Sequence, residues 1–329
     1  MSSRSLVVLP DDSAKPLLDA IAGASKSLRV KMFVFSDPVL LQAVVGARRR
    51  GVKVLVMLNP ARRSGEVENE ATREKLIRAG VEVTNGNPEF SLTHEKSMVA
   101  DDAIAFVSSL NWATHNLSAT RDYAIATSHA REIREIVDCF EADWHRQRFR
   151  GREGGHLVWC PGGRDRICRF IDQARHTLLV QNERYQDAVV IERIVRAAQR
   201  GVKVRVMARP PHALKKKLVE GTAGLRILDD VGIKIHKLRH LKLHGKMLLA
   251  DSVAAIVGSI NLTRGSLDDR RELAIEVRDD HVVERLEKVA HHDWKQSHPL
   301  DLSDEGLLAD LEDRAGEAKK LVLVGGTRR

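Results

Sequence analysis

Short apolar runs alternate with amphipathic stretches along most of the chain. In the N-terminal part, apolar runs at 5–9 and 28–35 flank a stretch at 17–24 whose apolar residues have helical spacing. A second helical pattern follows, which ends in the basic turn 48–51, and the β-branched run 52–58 comes next. Runs of this length indicate strands, and apolar residues three or four positions apart indicate helices. The pattern therefore predicts layered α/β packing.

The same pattern occurs twice. Residues 50–57 read Arg-Gly-Val-Lys-Val-Leu-Val-Met, and residues 200–207 read Arg-Gly-Val-Lys-Val-Arg-Val-Met, at an offset of 150. The same offset relates further pairs: Pro60 and Pro210, Asp143 and Asp293, Trp144 and Trp294. Coincidence at a fixed offset indicates a duplicated unit.

A polar, glycine-rich segment at 148–155 is typical of an exposed connection between the two units. We expect a first half at 1–150, a second half at 151–298 and a C-terminal extension at 299–329. In the extension, residues 303–320 predict one amphipathic helix. Ser303 is its expected cap, and three leucines share one face: Leu307, Leu308 and Leu311.

Length and composition agree with a globular protein of two domains. The chain has 329 residues, of which 43% are hydrophobic and 30% charged, and this excludes a coiled coil, a collagen or a disordered chain. No apolar run approaches the roughly 20 residues of a membrane-spanning helix, and the first residues lack the apolar core of a secretory signal. We therefore expect a cytoplasmic protein.

Charge and cysteine usage narrow the candidate chemistry. The net charge of +9 indicates polyanionic partners, either nucleic acid or an anionic membrane surface. Cys139, Cys160 and Cys168 are odd in number and share no C-x-x-C spacing, so neither a disulfide framework nor a thiolate zinc site is indicated.

Two matched sets of polar residues carry the candidate chemistry. Each set begins with His-x-Lys and continues with an aspartate, a serine, an asparagine and a second acid, which lie 7, 15, 17 and 28 positions after the histidine. The first set is His94, Lys96, Asp101, Ser109, Asn111 and Asp122; the second is His244, Lys246, Asp251, Ser259, Asn261 and Glu272. Five shared spacings make coincidence improbable, although an inherited but unused site is an alternative.

These residue types suit a phosphate. Residues i and i+2 of a strand face the same side, so each histidine and its lysine would face one cleft. Lysines and asparagine amides can hold phosphoryl oxygens, and the serines can support them. A neutral imidazole can attack phosphorus while a protonated one donates to the leaving oxygen. We expect Asp122 and Glu272 to orient the rings, and Asp101 and Asp251 to stabilise local turns.

At these residues the sequence resembles the phospholipase D superfamily, whose signature H-x-K-x(4)-D followed by G-S-x-N appears twice. It looks most like the bacterial cardiolipin synthase and phospholipase D branch. The resemblance implies two tandem α/β/α sandwich domains related by a pseudo-twofold axis, each a mixed sheet flanked by helices, with one site at their interface. It also implies a covalent phosphohistidine, with His94 as nucleophile and His244 as general acid, and no required metal or cofactor.

The first half departs from that signature twice. Ser108 stands where the second half has Gly258, and Asp122 stands where it has the longer Glu272. Serine is small enough for a tight backbone, and a modest shift could restore the bond between Asp122 and a histidine. We therefore expect an active first half.

The preferred substrate is a phospholipid at an anionic membrane surface. The enzyme would cleave its phosphodiester and pass the phosphatidyl group to water or to an acceptor alcohol. We expect peripheral association with the inner membrane surface and see no sign of an obligate protein partner. A metal-independent nuclease is the alternative, because a basic cluster leads into the second motif: Lys234, His236, Lys237, Arg239, His240 and Lys242. A noncatalytic polyanion-binding protein is the second alternative.

Overall fold

In a computed structural model, the described residues are 3–61, 67–210 and 215–307, without the side chains of 215–220. The first half contains β1 (Arg4–Leu9), α1 (Lys15–Gly23), β2 (Ser27–Met32), α2 (Pro38–Arg49), β3 (Lys53–Leu58), α3 (Glu70–Arg78), β4 (Glu82–Asn85), β5 (Leu92–Thr93), β6 (Ser97–Ala100), β7 (Ile104–Ser108), α4 (Thr114–Ser118), β8 (Thr120–Thr127) and α5 (Ala130–Trp144).

The second half repeats this order. It contains β9 (Leu157–Cys160), α6 (Arg164–Gln173), β10 (Thr177–Asn182), α7 (Ala188–Gln199), β11 (Lys203–Ala208), α8 (Lys215–Asp230), β12 (Lys234–Leu238), β13 (Lys242–Leu243), β14 (Met247–Ala250), β15 (Ala254–Gly258), α9 (Arg264–Asp268), β16 (Arg270–Val277), α10 (Asp280–Lys295) and β17 (Ser297–Pro299). No helix among the described residues is long and apolar enough to cross a membrane.

Each half is built on its own mixed sheet. The first sheet has the order β1-β8-β7-β6-β2-β3-β4, and the second has the order β17-β12-β11-β10-β14-β15-β16 with β9 paired to β16. β2 pairs with β3 in parallel and with β6 antiparallel, and β10 pairs with β11 and β14 in the same way. The predicted α/β class, with two tandem units of mixed sheet and helices, is confirmed.

Alternate side chains of the strands face two different cores. Val7 and Leu9 of β1 pack with α1 and α2 in a core of the first half, and an equivalent core of the second half contains α6, α7 and α8. Leu6 and Val8 belong instead to a third core, to which both sheets, α5 and α10 all contribute. Since side chains alternate along a strand, each sheet is covered on both faces. The two halves therefore each have a core of their own and share the third core between them.

The two halves exchange their shortest strands. β5, from the first half, pairs in parallel with β16 of the second sheet through Leu92 and Thr93. β13, from the second half, pairs in parallel with β8 of the first sheet through Lys242 and Leu243. Each exchanged strand directly precedes a motif histidine, so the sheet of one half holds the histidine segment of the other.

Two buried ion pairs cross the same interface at equivalent positions. Arg121 on β8 makes two hydrogen bonds of 2.9 Å to Asp293 on α10. Arg271 on β16 makes two of 2.9 Å to Asp143 on α5. Bidentate geometry fixes the guanidinium plane, so each arginine locks the start of a central strand to a helix of the other half.

Some element ends differ from the sequence pattern. The run predicted as a strand at 28–35 ends at Met32, because the chain leaves the sheet and Phe35 makes an isolated bridge with Trp112. Segment 148–155 contains no helix or strand, as a connection should. The boundaries at 150 and 298 stay a prediction.

The C-terminal helix begins where its cap was expected. Ser303 Oγ accepts a hydrogen bond of 3.1 Å from the Gly306 N–H, and helical structure starts at Asp304. Leu307 is buried against the core of the second half. The rest of the predicted helix, including Leu308 and Leu311, lies outside the described residues.

Breaking one crossing ion pair should cost much more stability than breaking a surface pair. Arg121→Met leaves Asp293 buried without its cation, and we expect a loss of about 3–5 kcal/mol in unfolding free energy. Arg121→Met with Asp293→Leu should recover most of it. Lys15→Met is the control, since Lys15 is 74% exposed in its pair with Asp19 and should change stability by less than about 1 kcal/mol. Equal losses for Arg121→Met and Lys15→Met in denaturant titrations would contradict the account.

Candidate active site

The His-x-Lys segments are not strands, and in this the expectation from the sequence was wrong. Residues 94–96 form an irregular connection between β5 and β6, and 244–246 form its counterpart between β13 and β14. Backbone hydrogen bonds to the opposite half hold these segments in place instead. The N–H groups of His94 and Glu95 both donate to the Arg271 carbonyl at 2.9 Å, and those of His244 and Gly245 donate to the Arg121 carbonyl at 3.2 and 2.7 Å.

Each lysine folds back on its own histidine segment. Lys96 Nζ donates a hydrogen bond of 2.6 Å to the His94 carbonyl, and Lys246 Nζ donates to the His244 carbonyl in the same way. All four side chains are at least 90% buried. Imidazole and ammonium therefore lie together in each half, as the spacing predicted, although not through strand geometry.

Each histidine is paired with the acid of the opposite half. His94 Nδ1 lies 2.8 Å from Glu272 Oε2, and His244 Nδ1 lies 2.8 Å from Asp122 Oδ1. An ionised carboxylate only accepts hydrogen bonds, so the proton of a neutral ring sits on Nδ1. Nε2 of both rings has no hydrogen-bond partner among the described residues, which leaves it available for chemistry.

The shorter acid of the first half is held by more partners than the longer acid of the second. Asp122 accepts hydrogen bonds from Ser109 (2.6 Å), Thr120 (2.6 Å) and Asn116 (3.3 Å) besides His244. Burial alone would raise the pKa of Asp122, but His244, Lys246 and Ser109 lower it. For Glu272, burial prevails and raises the pKa, and its Oε1 has no partner among the described residues. The two acids are therefore not equivalent.

The other departure from the signature is Ser108 in the first half, where the second half has Gly258. The local backbone explains this difference. A Cβ on Gly258 would lie 2.3 Å from the Ala274 Cα and the Leu273 carbonyl, so the second half needs glycine there. The first half accommodates Ser108, whose N–H still donates to the Lys96 carbonyl at 3.0 Å. The Gly258 N–H donates to the Lys246 carbonyl at 3.2 Å, so the backbone bond to the motif lysine is kept in both halves.

The motif serines and asparagines occupy equivalent places in the two halves. Ser259 Oγ accepts from the Leu273 N–H at 3.1 Å, as Ser109 Oγ does from the Tyr123 N–H at 2.9 Å. Asn111 and Asn261 are both buried, and the Oδ1 atom of each has no partner among the described residues. A matched pair of unsatisfied buried amides suits a polar ligand.

Asp101 and Asp251 lie away from the histidines, each at the turn that follows its strand. Asp101 accepts from the N–H groups of residues 25, 26 and 27, and Asp251 accepts from those of residues 175, 176 and 177. Against the effect of burial, the backbone bonds lower the pKa of Asp101 to about 2. Both acids fasten the segment that enters β2 or β10.

Burial and crowding of positive charge set the protonation of the site. Burial, followed by the charges of Lys96 and Lys246, lowers the pKa of His94 well below its usual value. Burial lowers the pKa of His244 too, but Asp122 and Glu183 oppose the shift. Burial lowers the pKa of Lys96 to about 7. Because charged groups of both halves act on the same histidines and lysines, the two motifs form a single site.

Three residues near the site, Phe33, Glu183 and Arg209, lie outside the two motifs and were not predicted from the sequence. Phe33 lies beside His94 and Lys96, while its repeat equivalent, Glu183, lies beside Lys246 and is paired with Arg209. Comparison of the repeats at the offset of 150 would have shown this difference, because Phe33 and Glu183 occupy the same position in the two matched segments.

A second buried cluster lies behind the first histidine segment. Ligand atoms of Glu95, Cys139 and Asp143 lie within 4.8 Å of one another, a spacing that could hold a metal ion. Lys31 Nζ fills that position, with bonds of 2.9 Å to Glu95 and 2.8 Å to Asp143. This ammonium supplies the charge that a cation would bring, so the cluster is an ion-pair network.

Comparison with known proteins places the chain in a family. The model of the family described as "Cardiolipin synthase, PLD-like domain" matches residues 17–144 and again residues 167–294. Cardiolipin synthase B of Escherichia coli is 26% identical over 310 residues, which cover 81% of this chain and 74% of that protein.

Solved structures show the same duplicated fold. The phosphatidylserine synthase of Haemophilus influenzae superposes with a TM-score of 0.74 at 11% identity, over 97% of this chain and 94% of that one. The polyphosphate kinase of Porphyromonas gingivalis gives a TM-score of 0.69 at 15% identity, over 96% of this chain and 53% of that one.

The family model covers most of the chain and both motif histidines, so the chain belongs to the phospholipase D-like family of cardiolipin synthase domains. The resemblance seen in the sequence is confirmed, and the protein is a phospholipase D-like enzyme.

The protonation of His94 can be measured directly. In protein labelled with ¹⁵N-histidine, we expect the His94 ring to be neutral at pH 6.5 with its proton on Nδ1, because burial and two lysines disfavour the cation. The resonance is assigned by its loss in His94→Asn. Lys96→Met removes the nearest positive charge and should raise the pKa of His94. A cationic His94 ring at pH 6.5, or a proton on Nε2, would contradict the geometry.

Proposed function

We propose that the protein cleaves a phospholipid phosphodiester through a covalent phosphohistidine and passes the phosphatidyl group to water or to an acceptor alcohol. The observation that carries the proposal is the pair of crossed acid–histidine contacts, which leaves two Nε2 atoms available in one site that also contains both motif lysines. In-line displacement needs a nucleophile on one side of phosphorus and a proton donor on the other.

In the first step, the Nε2 lone pair of His94 attacks phosphorus while the bond from phosphorus to the alcohol oxygen breaks. His244, in its protonated form, gives its Nε2 proton to that oxygen, and the alcohol leaves neutral. The difference in environment supports this order, since the pKa of His94 is lowered further, while Asp122 and Glu183 favour the cation of His244.

In the second step, neutral His244 takes a proton from water or from an acceptor alcohol. The oxygen attacks phosphorus, the phosphorus–nitrogen bond breaks, and its electron pair returns to His94. Glu272 and Asp122 keep the proton of each ring on Nδ1 and stabilise the positive charge that each ring carries in turn.

Lys96, Lys246, Asn111 and Asn261 are the residues we assign to the nonbridging phosphoryl oxygens. Their burial makes each contact stronger than in water. Because burial lowers the pKa of Lys96 to about 7, an anionic phosphodiester would stabilise its protonated form on binding. Ser109 and Ser259 support the strands behind the acids.

A lipid substrate is favoured by the relatives. Cardiolipin synthase B, by its name, acts in phospholipid synthesis, and the match spans most of both chains. The basic cluster that leads into the second motif is largely exposed, with Lys234, Arg239, His240 and Lys242 at the surface. An exposed basic segment next to the second motif would hold an anionic membrane surface at the site, which is the peripheral association we propose.

Substitution of either histidine tests the proposal. We expect His94→Ala and His244→Ala each to lower turnover at least about 10²–10⁴-fold, because one removes the nucleophile and the other the proton donor. His291→Ala, at a half-exposed position on α10, is the control and should keep full activity.

The assay offers mixed anionic and zwitterionic phospholipid vesicles in one series and single- and double-stranded nucleic acids in another, both with a chelator, and identifies products by mass. Lipid headgroup release or exchange that both variants lose would support the proposal. Cleavage of nucleic acid with intact lipid would replace it by the nuclease, and saturable binding without turnover would replace it by a polyanion-binding protein.

A further inference from the structure

The two half-sites differ at one pair of positions beside the motif lysines. Phe33 and Asn59 in the first half correspond to Glu183 and Arg209 in the second, at the offset of 150 that relates the surrounding strands. β2 and β10, which precede Phe33 and Glu183, have the same length and the same neighbours. The change therefore replaces side chains within one conserved geometry.

The first-half pair, Phe33 and Asn59, places an aromatic ring and no charge beside the site. The Phe33 ring centroid lies 4.7 Å from that of His94 and 5.1 Å from Lys96 Nζ. Asn59 uses its side chain for the backbone, since its Oδ1 accepts from the Thr93 N–H at 3.0 Å and its Nδ2 donates to the Ala61 carbonyl at 2.6 Å. Neither residue offers a charge to a ligand.

The second-half pair adds a carboxylate and a guanidinium. Arg209 Nη1 donates a hydrogen bond of 2.8 Å to Glu183 Oε1, and Lys246 Nζ lies 3.4 Å from Glu183 Oε2. Burial would raise the pKa of Glu183, but Lys246, His244 and Arg209 hold it well below the usual value, so the group is ionised. The side chains of Glu183 and Arg209 are 11% and 23% exposed, so neither is completely buried.

The position of Glu183 and Arg209 relative to the two histidines decides which part of the substrate they contact. In the proposed function, on which this inference rests, the alcohol leaves and the acceptor enters on the His244 side of phosphorus, opposite His94. Glu183 is among the charges that act on His244, whereas Phe33 packs on His94. We propose that Glu183 and Arg209 form the subsite for the alcohol, and that they select an alcohol with further hydroxyl groups.

The chemistry of the pair favours a polyol over a cationic alcohol. A carboxylate accepts a hydrogen bond from a hydroxyl, and a guanidinium donates one, so neighbouring hydroxyls can use both. Glu183 is already paired with Arg209 and Lys246. A quaternary ammonium would meet no unpaired negative charge there and could not donate a hydrogen bond.

The partition of one intermediate between acceptors tests the subsite. Vesicles of dioleoylphosphatidylglycerol are supplied with deuterated glycerol and choline together in water, and the products are deuterated phosphatidylglycerol, phosphatidylcholine, phosphatidic acid and, where the lipid itself is the acceptor, cardiolipin. Their ratio does not depend on how fast the intermediate forms. We expect wild type to prefer glycerol to choline, and Glu183→Gln to lower the ratio of glycerol product to phosphatidic acid about tenfold or more.

Arg209→Met should shift the ratio in the same direction, and Glu284→Gln, at an exposed position on α10, is the matched control that should leave it unchanged. If wild type forms no product from this lipid or from the mixed vesicles described above, the proposed function fails; if it forms product and Glu183→Gln keeps the wild-type ratio, only the subsite fails. If Glu183→Gln has no turnover, Glu183→Asp is measured instead. A shifted ratio there supports the subsite, and a wild-type ratio overturns it.

Discussion

The structure depends on a crossed backbone contact at the interface of the two halves. One arginine carbonyl, that of Arg121 or Arg271, receives two N–H groups from the histidine segment of the opposite half. The side chain of the same arginine is held by a buried aspartate, and the next residue is the acid that bonds the histidine ring. Strand, ion pair and acid–histidine pair are therefore one connected unit, made twice. Neither half can complete its own site, because the acid and the backbone acceptor for each histidine belong to the other half.

Duplication gives symmetry, but displacement at phosphorus needs two different partners. In this structure the two histidines occupy equivalent positions, but the side chains around them differ. On the His94 side, Phe33 contributes no charge, and burial with nearby lysines lowers the pKa of the imidazole well below normal. On the His244 side, Asp122 and Glu183 offset part of that effect. In the mechanism we propose, such differences let one ring act as nucleophile and the other as proton donor at the same pH. The shared strands and ion pairs would position both rings, and their different neighbours would assign the roles.

Much of this could be predicted from the sequence. Apolar periodicity predicted the alternation of strands and helices, and the offset of 150 predicted two equivalent units. The exchanged strands could not be predicted, because β5 and β13 are two residues long and carry no periodic signal. The pairing of acids could not be predicted either: Asp122 and Glu272 stand at the same distance from their histidines, which fits pairing within a half as well as across. The irregular geometry of the His-x-Lys segments reflects tertiary hydrogen bonds, which override local pattern.

The central claim is that the crossed pairs make one site in which His94 alone becomes covalently bound. The most direct measurement is peptide mapping by mass spectrometry at neutral to alkaline pH, which preserves a phosphorus–nitrogen bond, after brief mixing of His244→Ala with a phosphodiester that carries a good leaving group. Such a substrate needs no proton donor for the first step, so the intermediate should accumulate when His244 is absent. The account predicts a phosphoryl adduct on the peptide that contains His94 and no adduct in His94→Ala. An adduct on the His244 peptide of His94→Ala, or turnover without any adduct, would contradict it.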